Sequence, residues 1–271
     1  MWILYLAIGI CIALIAIVLF LIAPKKRRST SPFDSTLYAH RGLHNSSCPE
    51  NSLSAFQAAK EAGFGVELDV RFTADKQVVV FHDDTLTRMC GDHRRVDECT
   101  YEELQQLRLL NTAERIPLLS DVLAILDNTV ILCEIKPSRS YVDTTLCEET
   151  YALLEKHKAK YCIESFNPFS VRWFKKHTPH VIRGILSKKY VKGEVKPDIL
   201  RPFLSALMAN CLCRPDFIAY QHTDYPQLFF RLCRLFRPTT LAWTIRNQEE
   251  YAAAKQTFDS VIFEGFFPED K

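Results

Sequence analysis

Two histidines and three carboxylates stand at the ends of short apolar runs. His40 closes the run 37–40, and His82 closes the run 77–82. Glu67 and Asp69 lie two apart inside 66–72, and Glu134 precedes Lys136 by two at the end of 130–135. A charge in such a setting needs a partner, because burying it alone is costly. Residues two apart on a strand face the same side, so Glu67 pairs with Asp69 in direction, and Glu134 with Lys136. Three carboxylates make an all-oxygen set that suits one hard divalent cation, Ca²⁺ or Mg²⁺, rather than zinc or copper. Without a cation their charges repel and raise a pKa; the competing use is salt bridging to Arg71 or Lys136. Histidine titrates near neutral pH, so His40 and His82, flanking the acidic cluster, are the candidate acid and base, although a lone histidine at a strand end is more often structural. Arg41 can hold a phosphate oxygen bidentately. Lys136 can add positive charge where negative charge develops. Glu50, between Pro49 and Asn51, either orients Arg41 or stands near the metal. Trp243 and Phe166 either line the cleft or pack in the core, where strand-end aromatics are more common. The chemistry such a set would suit is metal-assisted phosphodiester cleavage. His44, His93, His157, His177, His180 and His222 have no comparable company and read as surface or packing residues.

These residues must be positioned by a regular scaffold. Strands are predicted to start at Leu37, Val66, Val130, Tyr161, Val181, Asp216, Thr240 and Ser260, with amphipathic segments between them. Expected helices lie near 52–62, 117–127, 141–157, 169–176, 199–209, 225–236 and 248–256. Asn51 or Ser52 is the N-cap of the first of these, with Gly63 as its stop. Strands alternating with helices imply a parallel sheet. Eight such units in about 230 residues fit a closed (β/α)8 TIM barrel, with an open doubly wound sheet as the alternative. Functional side chains then project from the carboxyl ends of the strands. The polar stretch 83–116 breaks the rhythm and reads as an insertion after strand 2, not a second core. Its Thr100-Tyr101-Glu102-Glu103 is a helix start of capping-box type.

The chain has 271 residues, 48% hydrophobic and 24% charged, with a net charge of +2. Near-balanced charge gives no footprint for nucleic acid. Residues 2–23 are apolar and uncharged, long enough to cross a bilayer, with Trp2 and Tyr5 at one end. Lys25-Lys26-Arg27-Arg28 follows. A signal peptide carries its basic residues first, so the segment reads as a retained transmembrane anchor, 1–24, with a basic juxtamembrane linker, 25–36. The positive-inside rule puts the catalytic domain, 37–271, in the cytoplasm of a single-pass membrane protein. Ten cysteines without framework spacing read as free thiols of a reducing compartment. Cys211 and Cys213 lack the second pair that a zinc site needs.

His40-Arg41-Gly42, Pro49-Glu50-Asn51, Glu67-Leu68-Asp69-Val70, His82-Asp83, Glu134-Ile135-Lys136 and Trp243-Thr244 stand in an order and spacing that resemble the glycerophosphodiester phosphodiesterase family, over about 37–268. The resemblance implies a TIM barrel with an insertion after strand 2. It implies a divalent metal on Glu67, Asp69 and Glu134, with His40 and His82 as acid and base. The implied reaction cleaves a glycerophosphodiester to sn-glycerol 3-phosphate and an alcohol, through attack by a neighbouring hydroxyl and a cyclic phosphate that water opens. A close variant is a lysophospholipase D acting on membrane lysolipids, with Phe166, Phe266 and Phe267 as an apolar rim. A membrane-tethered binding protein on an inactive barrel is a third reading, and it predicts a broken catalytic set. Two places depart from the family pattern. Ile245-Arg246-Asn247 stands where a Val-Asn pair is usual, and Phe263-Glu264-Gly265 where Thr-Asp is common. Both are expected at the rim, bearing on substrate preference.

Overall fold

The computed structural model describes residues 1–25, 33, 36–136 and 139–269. Its strands are β1 (Tyr38–Ala39), β2 (Gly65–Phe72), β3 (Val78–Val80), β4 (Val130–Ile135), β5 (Lys160–Ser165), β6 (Arg183–Ser187), β7 (Phe217–Gln221), β8 (Thr239–Ile245) and β9 (Ser260–Phe263). All neighbours pair in parallel except β3, which folds back antiparallel on β2. β1 pairs with both β9 and β2, so the eight parallel strands close into a barrel. The expected barrel is present.

The alternation of each strand sorts its side chains between the barrel interior and the surrounding helices. Val66, Leu68 and Val70 of β2, and Ile131 and Cys133 of β4, join the large core under the helices. Tyr38, Leu132, Cys162, Phe217, Leu241 and Ile262 fill the interior at its amino end, which we call the floor. Gly184 of β6 makes room for this packing: a Cβ there would lie 2.0 Å from the Phe217 ring. Two residues further along the inward face, the apolar layer gives way to His40, Glu134 and Glu164. One closed structure therefore has a dry floor and a charged mouth.

The helices are α1 (Trp2–Ile22), α2 (Leu53–Glu61), α3 (Thr87–Cys90), α4 (Tyr101–Leu104), α5 (Leu119–Ile125), α6 (Thr145–Lys156), α7 (Pro168–His177), α8 (Arg201–Ser205), α9 (Asn210–Cys213), α10 (Leu228–Arg234) and α11 (Gln248–Lys255). Ser52, not Asn51, caps α2, accepting from the Ala55 amide. The helix expected from 141 starts only at Thr145, with Thr144 as its N-cap, and Asp143 just before the cap accepts the Thr145 N–H. The helix expected over 199–209 is broken: α8 ends at Ser205, and the chain turns through Leu207 at φ 58°.

The insertion carries α3 and α4, the latter with both bonds of the Thr100–Glu103 capping box. Contrary to the sequence reading, it closes a small core of its own from Phe81, Leu86, Met89, Val96, Cys99, Leu104 and Leu109. These apolar residues are spaced too irregularly between polar ones to show a period. All ten cysteines are free. α1 is long and apolar enough to cross a membrane and is exposed over residues 1–17. Lys26, Arg27 and Arg28, and most of the linker, lie outside the described residues.

Candidate active site

The mouth is assembled from the ends of β1, β2, β3, β4, β5, β8 and β9. Pairing sets Asp69 beside Glu134, and Glu134 beside Glu164. Single carboxylate oxygens of Glu67, Asp69 and Glu134 lie within 4.8 Å of one another, all three residues buried. The Lys136 ammonium stands 2.9 Å from Asp69 Oδ1 and 2.7 Å from Glu134 Oε2. Asn51 donates its side-chain amide to Asp69 Oδ2 at 2.8 Å. Burial and the charges of Asp69 and Glu134 push Glu67 well up. Asp69 goes the other way: burial raises it, but Lys136, His82 and Arg41 outweigh that and hold it ionised. Glu134 Oε1 and Glu164 Oε2 are buried and have no hydrogen-bond partner among the described residues. A cluster with spare buried oxygens and a strained second charge fits a hard cation. Of the two expected salt-bridge partners Lys136 reaches Asp69, and Arg41 Nε also stands 3.5 Å from Asp69 Oδ2. Arg71 instead donates to the His82 carbonyl and pairs with Asp84.

His40 follows β1 and is held on two sides. Its amide donates to the Phe263 carbonyl, continuing the β1–β9 pairing. Its Nδ1 lies 2.5 Å from Glu264 Oε2. Its Nε2 is 4.0 Å from Glu67 Oε2. Burial pushes the imidazole down to about 4, with Arg41 adding to this and Glu264 opposing it. Glu264 is in turn held far down: burial would raise it, but His40, His44 and Arg246 outweigh this. Next to His40, Arg41 adopts φ 56° and Gly42 φ 81°. A Cβ on Gly42 would sit 2.7 Å from the Ala55 carbonyl carbon of α2, so only glycine fits there. That turn aims the Arg41 amide at Glu67 Oε2 (2.9 Å) and its guanidinium at Glu50 Oε1 (2.7 Å).

His82 is positioned differently. It leaves β3, its carbonyl takes two donors from Arg71, and its Nδ1 lies 2.7 Å from the Oδ1 of its neighbour Asp83. Arg88, from α3 of the insertion, clamps both Asp83 and Glu50. Burial would raise Asp83, but the bonds from His82 and Arg88 hold it far below the usual carboxylate range. Glu50 therefore binds two arginines, one from each side of the mouth.

Comparison with known proteins agrees with this geometry. A model of the glycerophosphoryl diester phosphodiesterase family matches residues 40–266. The chain belongs to this family. It is 34% identical over 169 residues to a glycerophosphodiester phosphodiesterase of Caldanaerobacter subterraneus subsp. tengcongensis, covering 59% of this chain and 68% of that one. It is 30% identical over 226 residues to YhdW of Bacillus subtilis, covering 80% and 88%. A solved phosphodiesterase of Oleispira antarctica, in complex with the product sn-glycerol-3-phosphate, superposes with a TM-score of 0.69 at 21% identity, covering 84% and 92%.

Within this family member the sequence-derived residues His40, Arg41, Glu50, Glu67, Asp69, His82, Glu134 and Lys136 converge on one mouth. Trp243 faces the same mouth, edge-on to Phe166 at 5.5 Å, with its indole N–H buried and unpartnered among the described residues. Phe166 also borders a cleft of about 700 Å³ with Tyr141, Phe169, Tyr190, Leu200 and Phe203. The other two expected rim residues are elsewhere. Phe266 packs on Tyr251 and Phe263 outside the barrel, and Phe267 on Phe64 at the amino end of β2. Sequence reasoning missed Glu264, Glu164, Arg88 and the amide of Asn51. Glu264 had a signal, its departure from the family pattern, but it lies on the histidine and not at a substrate rim.

Proposed function

We propose that the protein hydrolyses glycerophosphodiesters to sn-glycerol 3-phosphate and an alcohol, with one divalent cation and two histidines. The observation that carries this reading is the buried carboxylate trio between two histidines, each histidine hydrogen-bonded to its own carboxylate. The product named for the Oleispira antarctica structure supports the same reaction. Glu67, Asp69 and Glu134 would hold the cation, Ca²⁺ or Mg²⁺, whose charge when bound acidifies a hydroxyl beside the phosphate. His40, kept neutral by burial, takes the proton of that hydroxyl. Glu264 fixes its ring so that Nε2 faces the trio. The oxygen of that hydroxyl attacks phosphorus, His82, paired with Asp83, gives a proton to the leaving alcohol, and water then opens the cyclic phosphate to sn-glycerol 3-phosphate. Arg41 and Lys136 stabilise negative charge on the phosphate, and Glu50 orients Arg41 through their 2.7 Å bond. Trp243 closes one wall. α1 anchors the protein as a single-pass membrane protein, with the barrel in the cytoplasm by the positive-inside rule.

The test is release of glycerol 3-phosphate from glycerophosphocholine by the purified full-length chain. Activity should vanish with EDTA and return with Ca²⁺ or Mg²⁺. Turnover that EDTA leaves untouched would remove the metal from the reading, and no release from any glycerophosphodiester would sink the reaction. A second reading, a lysophospholipase D, draws on the apolar cleft beside Phe166, which lies within the ~300–1,000 Å³ of small-molecule pockets. Comparing turnover of a lysolipid with that of its deacylated diester separates the two.

A further inference from the structure

α1 meets the barrel only through its last turns, and that contact is built in detail. A helix leaves its final carbonyls without intrahelical partners. Here the barrel supplies them. Asn210 Nδ2 donates to the Ile22 carbonyl at 2.8 Å, and the Cys233 thiol donates to the same oxygen at 3.2 Å. Arg214 Nη1 donates to the carbonyls of Phe20 (2.8 Å) and Ala23 (2.6 Å), and its guanidinium lies 4.6 Å from the Phe20 ring centre. The Lys25 amide donates to the Pro215 carbonyl at 2.9 Å, and its ammonium pairs with Asp216 at 3.1 Å. Ile22 is fully buried. The end of α1 is thus fixed to the barrel at several points.

Every docking residue lies at the floor. Arg214, Pro215 and Asp216 lead directly into the amino end of β7. Asn210 lies on α9, which feeds that strand, and Cys233 on the last turn of α10, which has returned from the top of it. Beside this dock the chain leaving α10 exposes two large apolar side chains, Leu235 at 71% and Phe236 at 37%. Arg231, Arg234 and Arg237 flank them. Exposed apolar side chains among arginines are what an anionic headgroup layer accepts. A water-facing surface gives them nothing to pack on.

We propose that the floor under β7 and β8 rests on the headgroups of the membrane that α1 enters, and that the catalytic mouth is turned away from it. The inference rests on the reading of α1 as an anchor. Strand polarity sets its consequence: β7 and β8 have five and seven residues, and at ~3.3 Å each, tilted by about 36° in the barrel, they lift the mouth roughly 15 Å off the lipid surface. The mouth then samples diesters dissolved in water, and a lysolipid must leave the bilayer as a monomer to reach it.

The test uses the full chain in phosphatidylcholine vesicles with a minor share of phosphatidylserine. A fluorophore is placed on an introduced reactive residue at Lys160, exposed at the floor end of β5, or at Lys192, exposed on the loop above β6. Acceptors sit on the lipid headgroups. Energy transfer should be roughly two-fold or more stronger from position 160 than from 192, given that separation. Equal transfer, or more from 192, overturns the orientation. The pair Leu235→Glu with Phe236→Glu should weaken transfer from 160 while leaving hydrolysis of a soluble diester in detergent unchanged; transfer that does not move overturns the role of this patch. The readout needs no turnover, so an inactive enzyme leaves it standing. A chain that does not float with vesicles overturns the anchor and this inference together, and leaves the hydrolysis assay intact.

Discussion

The two sides of the mouth hold their histidines by opposite means. His40 is 15% exposed and takes its carboxylate from Glu264, 224 residues away across the β1–β9 seam. His82 is about one-third exposed and takes its carboxylate from the next residue, Asp83. On the first side, burial dominates the imidazole and keeps it neutral. On the second, a neighbouring ion pair and the Arg88 clamp do the positioning in contact with water. On the roles proposed above, the contrast sets a proton acceptor largely screened from water against a proton donor in contact with it, and barrel closure supplies the first setting.

Replacing the histidines is the most severe test. His40→Ala and His82→Ala should each lower turnover of glycerophosphocholine by roughly 10²–10⁴-fold in steady-state assays with the fold intact by circular dichroism. Retained activity in both would end the acid/base assignment. Next come the two orienting carboxylates. Glu264→Gln should cost on the order of 10–100-fold in kcat with little change in KM, and Asp83→Asn less than about ten-fold, because a buried ring depends more on its only orienter. The reverse ranking would break the contrast.

A pH profile sharpens it further. His40 sits at about 4 against an ordinary 6.5. The acid limb of kcat/KM should therefore fall below pH 6.5, toward 4, and a bound cation pushes it the same way. Glu264 pulls His40 up, so Glu264→Gln should move that limb to still lower pH. The sign for stability follows. Between pH 6.5 and 4 the unfolded chain binds a proton at His40 that the folded chain refuses, so His40 makes stability fall as pH drops through that window. Urea denaturation at pH 7 and pH 5 on wild type and His40→Ala reads this difference. The smallest effect is expected for Arg88→Met. It should cost under about 1 kcal/mol of stability, since the side chain is 47% exposed. Its few-fold loss of kcat should shrink in an Asp83→Asn background, which shares the contact.

Much of the site was legible because strand geometry is periodic. The spacing of Glu67 from Asp69, and of Glu134 from Lys136, fixes a shared face wherever the strands end up. His82-Asp83 is a bonded pair in the sequence itself. Gly42 was legible as part of a motif, though its reason, contact with Ala55 of α2, was not. The insertion's small core and the break at Leu207 were hidden, because neither has a helical period to read.

By itself, the sequence determined the alternation of strands and helices, the shared faces of Glu67 with Asp69 and of Glu134 with Lys136, and the apolar helix. These depend on periods of two and 3.6 residues and on hydropathy, which are local. Only the tertiary structure decided which strand end meets which. It set Glu264 on His40, Lys136 between Asp69 and Glu134, Glu164 beside the trio, and the end of α1 on the floor through Asn210, Arg214 and Asp216. The physical reason is that alternation chooses a face, while register and closure choose the neighbour, and these arise from pairing between segments far apart in the chain.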